Sequence, residues 1–291
     1  MDNPRTMFLG TVLIMLAALC FGSVPFFARS LIDGGMRPVD VAFWRFALPG
    51  LIFFPFVWRA QAHVGPIAWA LSAGLALGLG WIGYATALRT LPVATVGVLY
   101  MTYPLFTALL GWVWFGYRPT VQAWAAAGLV LLAAVISAST GPITTGDIPA
   151  MLIALTAPIG FSYGIAVLTM KLERLGVIAR MASIQLGTLL GLAPLLLLSG
   201  GLATLLPGTV TGWWLVLGVA IVAAFVPQLV YTIWAPRIGA TRTAIAGSVE
   251  LPTMFVVGWI AFSEPLGAGQ WIAGALILTA ILLSQTRQTA G

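Results

Sequence analysis

The chain is a succession of long apolar runs, and this feature decides what it can fold into. Cut at charges, Pro-Gly clusters and turn residues, it divides into ten, near 7–28, 40–58, 65–88, 92–115, 121–139, 149–170, 180–199, 210–234, 241–262 and 268–286. A helix needs about 20 mostly apolar residues to cross a bilayer, and each run approaches that length. The connectors, such as Arg59–Val64, Tyr117–Thr120 and Glu264–Gly267, are short and leave no room for a soluble domain. An all-α integral membrane protein with ten transmembrane helices is therefore the expected fold class. The runs lack the apolar-polar alternation of a membrane β-barrel. The first run is too long for a cleavable signal peptide and no small-residue cleavage site follows it, so it counts as the first span.

Composition narrows the function. Sixty per cent of the residues are hydrophobic and 7% are charged, against about 25% charged in a soluble domain. So few charges cannot cover a water-soluble surface, which excludes a soluble enzyme and a disordered chain. The net charge of +6 forms no basic cluster or stripe, so a lipid bilayer is the expected partner and nucleic acid is not. Cys20 lies inside an apolar run and has no second cysteine to pair with. There is no Gly-rich phosphate loop ending in Lys-Ser or Lys-Thr, and His63 is the only histidine. ATP-driven pumping, a metal site, a cofactor and enzymatic catalysis thus find no footing in the sequence.

Positive charge sets the orientation. With the N-terminus inside, the cytoplasmic segments carry Arg5, Arg59, Arg118, Lys171, Arg174, Arg180, Arg237, Arg242 and Arg287, and the opposite side only Arg29, Arg37 and Arg89. That bias places both termini in the cytoplasm.

The chain also repeats itself. Residues 84–136 resemble 231–283 at a spacing of about 147: Gly111-Trp112 matches Gly258-Trp259, Phe115 matches Phe262, and Trp124 matches Trp271. Pro104 and Pro252 match with one residue of slippage. In the first parts of the two halves the spacing is about 140, where Phe21 matches Phe161 and Arg45 matches Gln185. Two halves of five spans, 1–141 and 142–291, must enter the membrane in opposite directions because five is odd. Inverted repeats that meet at a midplane site are a transporter architecture.

Ten spans, the five-plus-five duplication, and the segments Leu91–Phe115 and Ile238–Phe262, each followed by a final Trp-containing helix, resemble the drug/metabolite transporter superfamily with two EamA-type repeats. Ala18–Ser30 and the stretch Phe43-Trp44-Arg45-Phe46 are most similar to YddG-type aromatic amino-acid exporters. The resemblance implies an inner-membrane exporter of aromatic and other largely apolar amino acids, working by alternating access. Another small metabolite or drug on the same fold is the alternative. A nucleotide-sugar fits less well, since it calls for several basic residues inside the spans, where only Arg45 lies. A non-transporting membrane component is disfavoured by ten spans without an extramembrane domain. The sequence does not fix the oligomeric state, and a monomer is one option.

Two charges sit within the spans, Arg45 and Glu250. Each costs about 2.5–3.5 kcal/mol at a helix centre and so tends to face a bundle interior or a cavity. Together they offer both signs a zwitterion needs. Arg45 snorkelling to the boundary, a structural ion pair between the two, and Glu250 as carrier of a coupling proton are the competing readings. Gln185, at the position matching Arg45, and Gln228 are uncharged candidates. Trp81 and Tyr84 share a helix face, as do Tyr100 and Tyr103. With Trp44, Tyr163, Tyr231 and Trp234 they suit the aromatic wall of an apolar site, while Trp58, Trp69, Trp124, Trp213, Trp214 and Trp271 lie near span ends and suit an interfacial belt. Pro104 and Pro252, each freeing a carbonyl one turn earlier, are candidate gating positions, and the glycines of Gly74–Gly83 suit close helix packing.

Overall fold

The computed structural model describes residues 4–59, 64–116, 120–140, 144–198, 205–238, 243, 246–247 and 249–285. Arg118, Arg242, Arg287, the boundary at 141/142 and part of the 241–262 run lie outside them. The described helices are α1 (Pro4–Gly22), α2 (Val24–Asp33), α3 (Pro38–Arg59), α4 (Val64–Ala87), α5 (Val93–Tyr100), α6 (Tyr103–Phe115), α7 (Val121–Thr140), α8 (Ile148–Ala154), α9 (Thr156–Met170), α10 (Val177–Leu198), α11 (Val210–Leu217), α12 (Val226–Ile238), α13 (Glu250–Phe262) and α14 (Ala268–Gln285). A π-helical stretch, Gly218–Phe225, joins α11 to α12.

Among the described residues, seven helical stretches are long and apolar enough to cross a membrane: Arg5–Asp33, Pro38–Val57, Val64–Ala87, Val93–Trp114, Thr145–Leu168, Val177–Leu198 and Val210–Tyr231. Shorter apolar helices, Trp124–Ala133, Glu250–Phe262 and Ala268–Ala280, occupy the other three apolar runs. Large apolar side chains point outward, including Phe8, Leu51, Val135, Leu198 and Ile260. Such an outer surface suits lipid, not water. The belt residues Trp69, Trp124, Trp213, Trp214 and Trp271 are exposed as well.

Several spans are broken where the sequence pattern suggests continuous helix. The chain kinks at Ser23, at Met101–Thr102 and at Leu155. A proline follows within three residues each time, Pro25, Pro104 and Pro158, in the first turn of the next helix. There its missing N–H leaves no intrahelical bond unmade. A hydroxyl at each break bonds back to a carbonyl of the preceding turn: Ser23 Oγ to Cys20 O at 2.7 Å, Thr102 Oγ1 to Leu99 O at 2.6 Å, Thr156 Oγ1 to Ile153 O at 2.6 Å. Pro252 likewise lies in the first turn of α13. Ser248, whose carbonyl it would free, is outside the described residues.

The helices pack through small residues. α4 lies along α10 and α9, and a Cβ on Gly74 would fall on the Ile184 carbonyl oxygen. Thr188 Oγ1 donates to the Gly74 carbonyl at 2.9 Å across the same contact. Gly187 faces the backbone of Leu71, and Gly80 that of Thr156. Contacts recur in matching sets when residue numbers shift by 140–147. α4 packs on α10 as α3 packs on the π-helical stretch, α4 meets α9 as α12 meets α1, and α7 lies against α14. α6 and α13 are both thirteen residues long. Each ends in a left-handed residue, Gly116 (φ 72°) and Ser263 (φ 52°), 147 positions apart.

These contacts and the left-handed Ser263 set the outcome of three substitutions. Gly74→Val should destabilise the protein by about 2 kcal/mol through overpacking against α10. Gly128→Ala should be silent, since nothing among the described residues lies within 4 Å of its Cβ. Ser263→Gly should stabilise by about 1 kcal/mol, the cost of a left-handed L-residue. Thermal unfolding in detergent micelles measures all three.

Candidate functional site

Arg45 lies on the face of α3 that also carries the buried Val41, Ala42 and Phe46, and only 8% of it is exposed. Its guanidinium lies 4.0 Å from the Trp81 ring centroid and 5.8 Å from that of Phe46. Nη1 donates to the Ala223 carbonyl at 2.8 Å, inside the π-helical stretch. Stacking on an indole in a desolvated place is worth about 2 kcal/mol, which offsets part of the cost of burying the charge. Arg45 therefore does not snorkel. It also makes no ion pair with Glu250, although the two lie within electrostatic range of each other.

A run of aromatic rings continues from Trp81. Its ring is 5.0 Å from Tyr84, which is 5.8 Å from Tyr100. Tyr100 is 6.0 Å from Tyr103, and Phe161 of α9 closes on both, at 5.8 and 5.1 Å. Tyr231 of α12 packs on Phe21 at 5.6 Å. Glu250 opens α13, where a carboxylate is favoured by the helix dipole. It acts electrostatically on Arg45, Tyr84, Tyr100, Tyr103 and Tyr231, so all six groups converge on one region. Among the described residues nothing donates a hydrogen bond to its carboxylate.

Gln185 and Gln228 form a second pair, with Gln185 Nε2 donating to Gln228 Oε1 at 2.9 Å. Gln185 stands 140 residues after Arg45 and Gln228 stands 147 after Trp81. The same contact thus occurs twice, once as cation on indole and once as amide on amide. Three polar atoms of these residues are buried without a partner among the described residues: Arg45 Nε, Gln185 Oε1 and the Tyr84 hydroxyl. Each such group costs about 1–3 kcal/mol. Arg45 and Tyr84 both contact Trp81, so their two unmet donors lie in one region and could be met by an acceptor, whereas the unmet Gln185 acceptor belongs to the second pair.

Two candidates are engaged elsewhere. Trp44 donates its indole N–H to the Leu205 carbonyl at 2.9 Å and packs edge-on against Trp213 at 5.5 Å. The Tyr163 hydroxyl is 2.9 Å from Ser72 Oγ, and its ring meets Trp114 at 5.3 Å. Pro104 and Pro252 begin the helices that carry Tyr103 and Glu250. Nothing in the sequence marks Ala223, whose side chain is chemically silent and whose carbonyl is offered by an unusual helical turn. Phe161 was visible only as the match of Phe21. Among the described residues no three His, Cys, Asp or Glu side chains come together.

Residues 8–139, from α1 into α7, match the EamA-like transporter family. A solved structure described only as "Crystal structure of protein" superposes on 97% of this chain and 99% of its own with a TM-score of 0.62. Its sequence identity is 17%, so the likeness is one of fold. No curated protein matches the chain. The seven long apolar helices and the EamA-like segment make this a multi-pass membrane protein.

Trp81→Ala should remove the surface on which Arg45 rests and lower stability by about 3 kcal/mol. Trp81→Phe keeps a ring and should cost less than half as much. The comparison is made by thermal unfolding in detergent.

Proposed function

We propose that the chain is a transporter that exports aromatic and other largely apolar amino acids across the inner membrane. In this reading ten helices form two inverted five-helix halves, 1–141 and 142–291, with both termini cytoplasmic, and the solute is handled between the halves by alternating access. The observation that carries it is the pair of unpaired buried polar atoms, Arg45 Nε and Tyr84 OH, whose residues both contact Trp81 in a run of aromatic rings. Arg45 binds the carboxylate of the solute. Glu250 attracts its ammonium group, and the rings of Trp81, Tyr84, Tyr100 and Tyr103 take the apolar side chain. The EamA-like match over 8–139 supports the transporter class, and the recurrence of helix contacts at a spacing of 140–147 supports the two halves.

Reconstitution in liposomes tests the reading, with labelled phenylalanine, tryptophan, methionine and threonine supplied with and without a proton gradient. Uptake above that of empty liposomes is expected, with phenylalanine, tryptophan and methionine ahead of threonine. Rates equal to those of empty liposomes for all four solutes, under both conditions, sink the amino-acid assignment. Arg45→Gln should lower the rate about tenfold or more, the worth of a charge-assisted hydrogen bond. Glu250→Gln separates the roles of Glu250: unchanged transport at every pH would remove it from the mechanism.

A further inference from the structure

Glu264 stands apart from the Arg45–Glu250 group, yet it joins three distant segments. Ser263, in the left-handed conformation, turns the chain after α13 so that the Glu264 N–H donates to the Gly258 carbonyl at 3.1 Å. The Glu264 side chain then runs back into the bundle, leaving the residue 8% exposed. Its two carboxylate oxygens lie 2.9 and 2.8 Å from the backbone N–H of Val93, the first residue of α5. Oε1 also accepts from Nη1 of Arg29, one turn before the end of α2. The Arg29 guanidinium lies over the Phe262 ring at 4.6 Å and pairs with Asp33 at 3.9 Å. Gly258 keeps the space clear, since a Cβ there would lie 2.6 Å from Glu264 Oε2 and 3.3 Å from Val93 Cβ.

α5 has no side-chain cap of its own, because Pro92 precedes it. Glu264 supplies the anion that the open N–H end of a helix attracts. The helix is only eight residues long, it ends at Tyr100, and the break at Met101–Thr102 separates it from α6. A group that fastens Val93 therefore sets where Tyr100 stands in the ring cluster. The contact is also close to solvent at the end of the bundle: the Arg29 and Asp33 side chains are 25% and 60% exposed. Water can replace the donors of the carboxylate there when the contact opens.

We propose that Glu264 is a positioning residue of the transport cycle: it latches the start of α5 to α2 and to the end of α13, holds Tyr100 in the site, and closes the bundle at this end until the latch releases. The proposal rests on the transporter reading above. Its first test requires no transported solute. Spin labels on Thr90→Cys and Ala268→Cys, both exposed positions, are placed in a Cys20→Ser background of the full chain in liposomes. Distances between them report this end of the bundle.

Glu264→Gln should raise the ratio of long to short distances about tenfold or more, the worth of a charge-assisted bond. Val93→Pro should do the same. It removes the donated N–H at a first-turn position that accepts proline and exchanges one buried apolar side chain for another, and so keeps the test decisive if Glu264→Gln fails to fold. Gly258→Ala should shift the ratio in the same direction, and Gly111→Ala, with nothing within 4 Å among the described residues, should not. A folded Glu264→Gln or Val93→Pro protein whose distances match the parent overturns the proposal, even if its melting temperature falls. Shifted distances in a protein that moves none of the four amino acids would keep the latch and reject the substrate assignment.

Discussion

A bilayer offers no hydrogen bonds to a backbone, and this constraint governs the whole architecture. Each of the three described breaks, at Ser23, Met101–Thr102 and Leu155, meets it locally. A hydroxyl at or just after the break bonds back to the preceding turn, and a proline starts the next helix where no N–H is required. The π-helical stretch Gly218–Phe225 meets it differently. Its loosened ladder offers the Ala223 carbonyl to a side chain, and Arg45 takes it. A buried guanidinium and an irregular helix thus stabilise each other, each supplying what the other lacks.

Close backbone approach brings these irregular places together. Where Gly74 meets Ile184 and Gly187 meets Leu71, no side chain separates α4 from α10. α4 is thereby held in place, and with it Trp81 and Tyr84. Helix contacts that recur at a spacing of 140–147 residues differ in chemistry. Arg45 on Trp81 is charged and aromatic, while Gln185 on Gln228 is neutral and hydrogen-bonded. The recurring contact thus carries unlike side chains, charged and aromatic in one place and neutral in the other.

Much of this was legible in the sequence, for physical reasons. Span ends agree with the helices to within a few residues in most places, because charges and Pro-Gly clusters mark where apolar surface must stop. Arg45 and Glu250 stood out because an ionised group inside a span is costly. The Trp81–Tyr84 contact follows from helical spacing on α4, whereas Tyr100 and Tyr103 meet across the break at Met101–Thr102, one ending α5 and the other starting α6. The breaks at Ser23 and Leu155 leave no mark on the apolar pattern. Hydropathy sums side chains over a window and is blind to a proline that starts a new helix inside an apolar run. Trp44 and Tyr163 illustrate a second limit. Spacing places an aromatic on a face, whereas its partner, Leu205 or Ser72, comes from a segment remote in sequence.

Glu264 shows why charge counting alone misleads at span ends. It and Arg29 sit where charges ordinarily set orientation and face water. Here the arginine and the Val93 N–H turn the carboxylate inward, and burial of the cluster makes it a structural joint. α5 is about 12 Å long at 1.5 Å per residue, with the joint at one end and Tyr100 at the other. A rod of that length, broken from α6 behind it, transmits a small rotation at Val93 as a displacement of a ring in the site. The closure of one end of the bundle and the shape of the site are then two readings of a single helix position. In the proposed transport cycle such a link would couple solute binding to access within helices alone, since few of the described residues lie outside them.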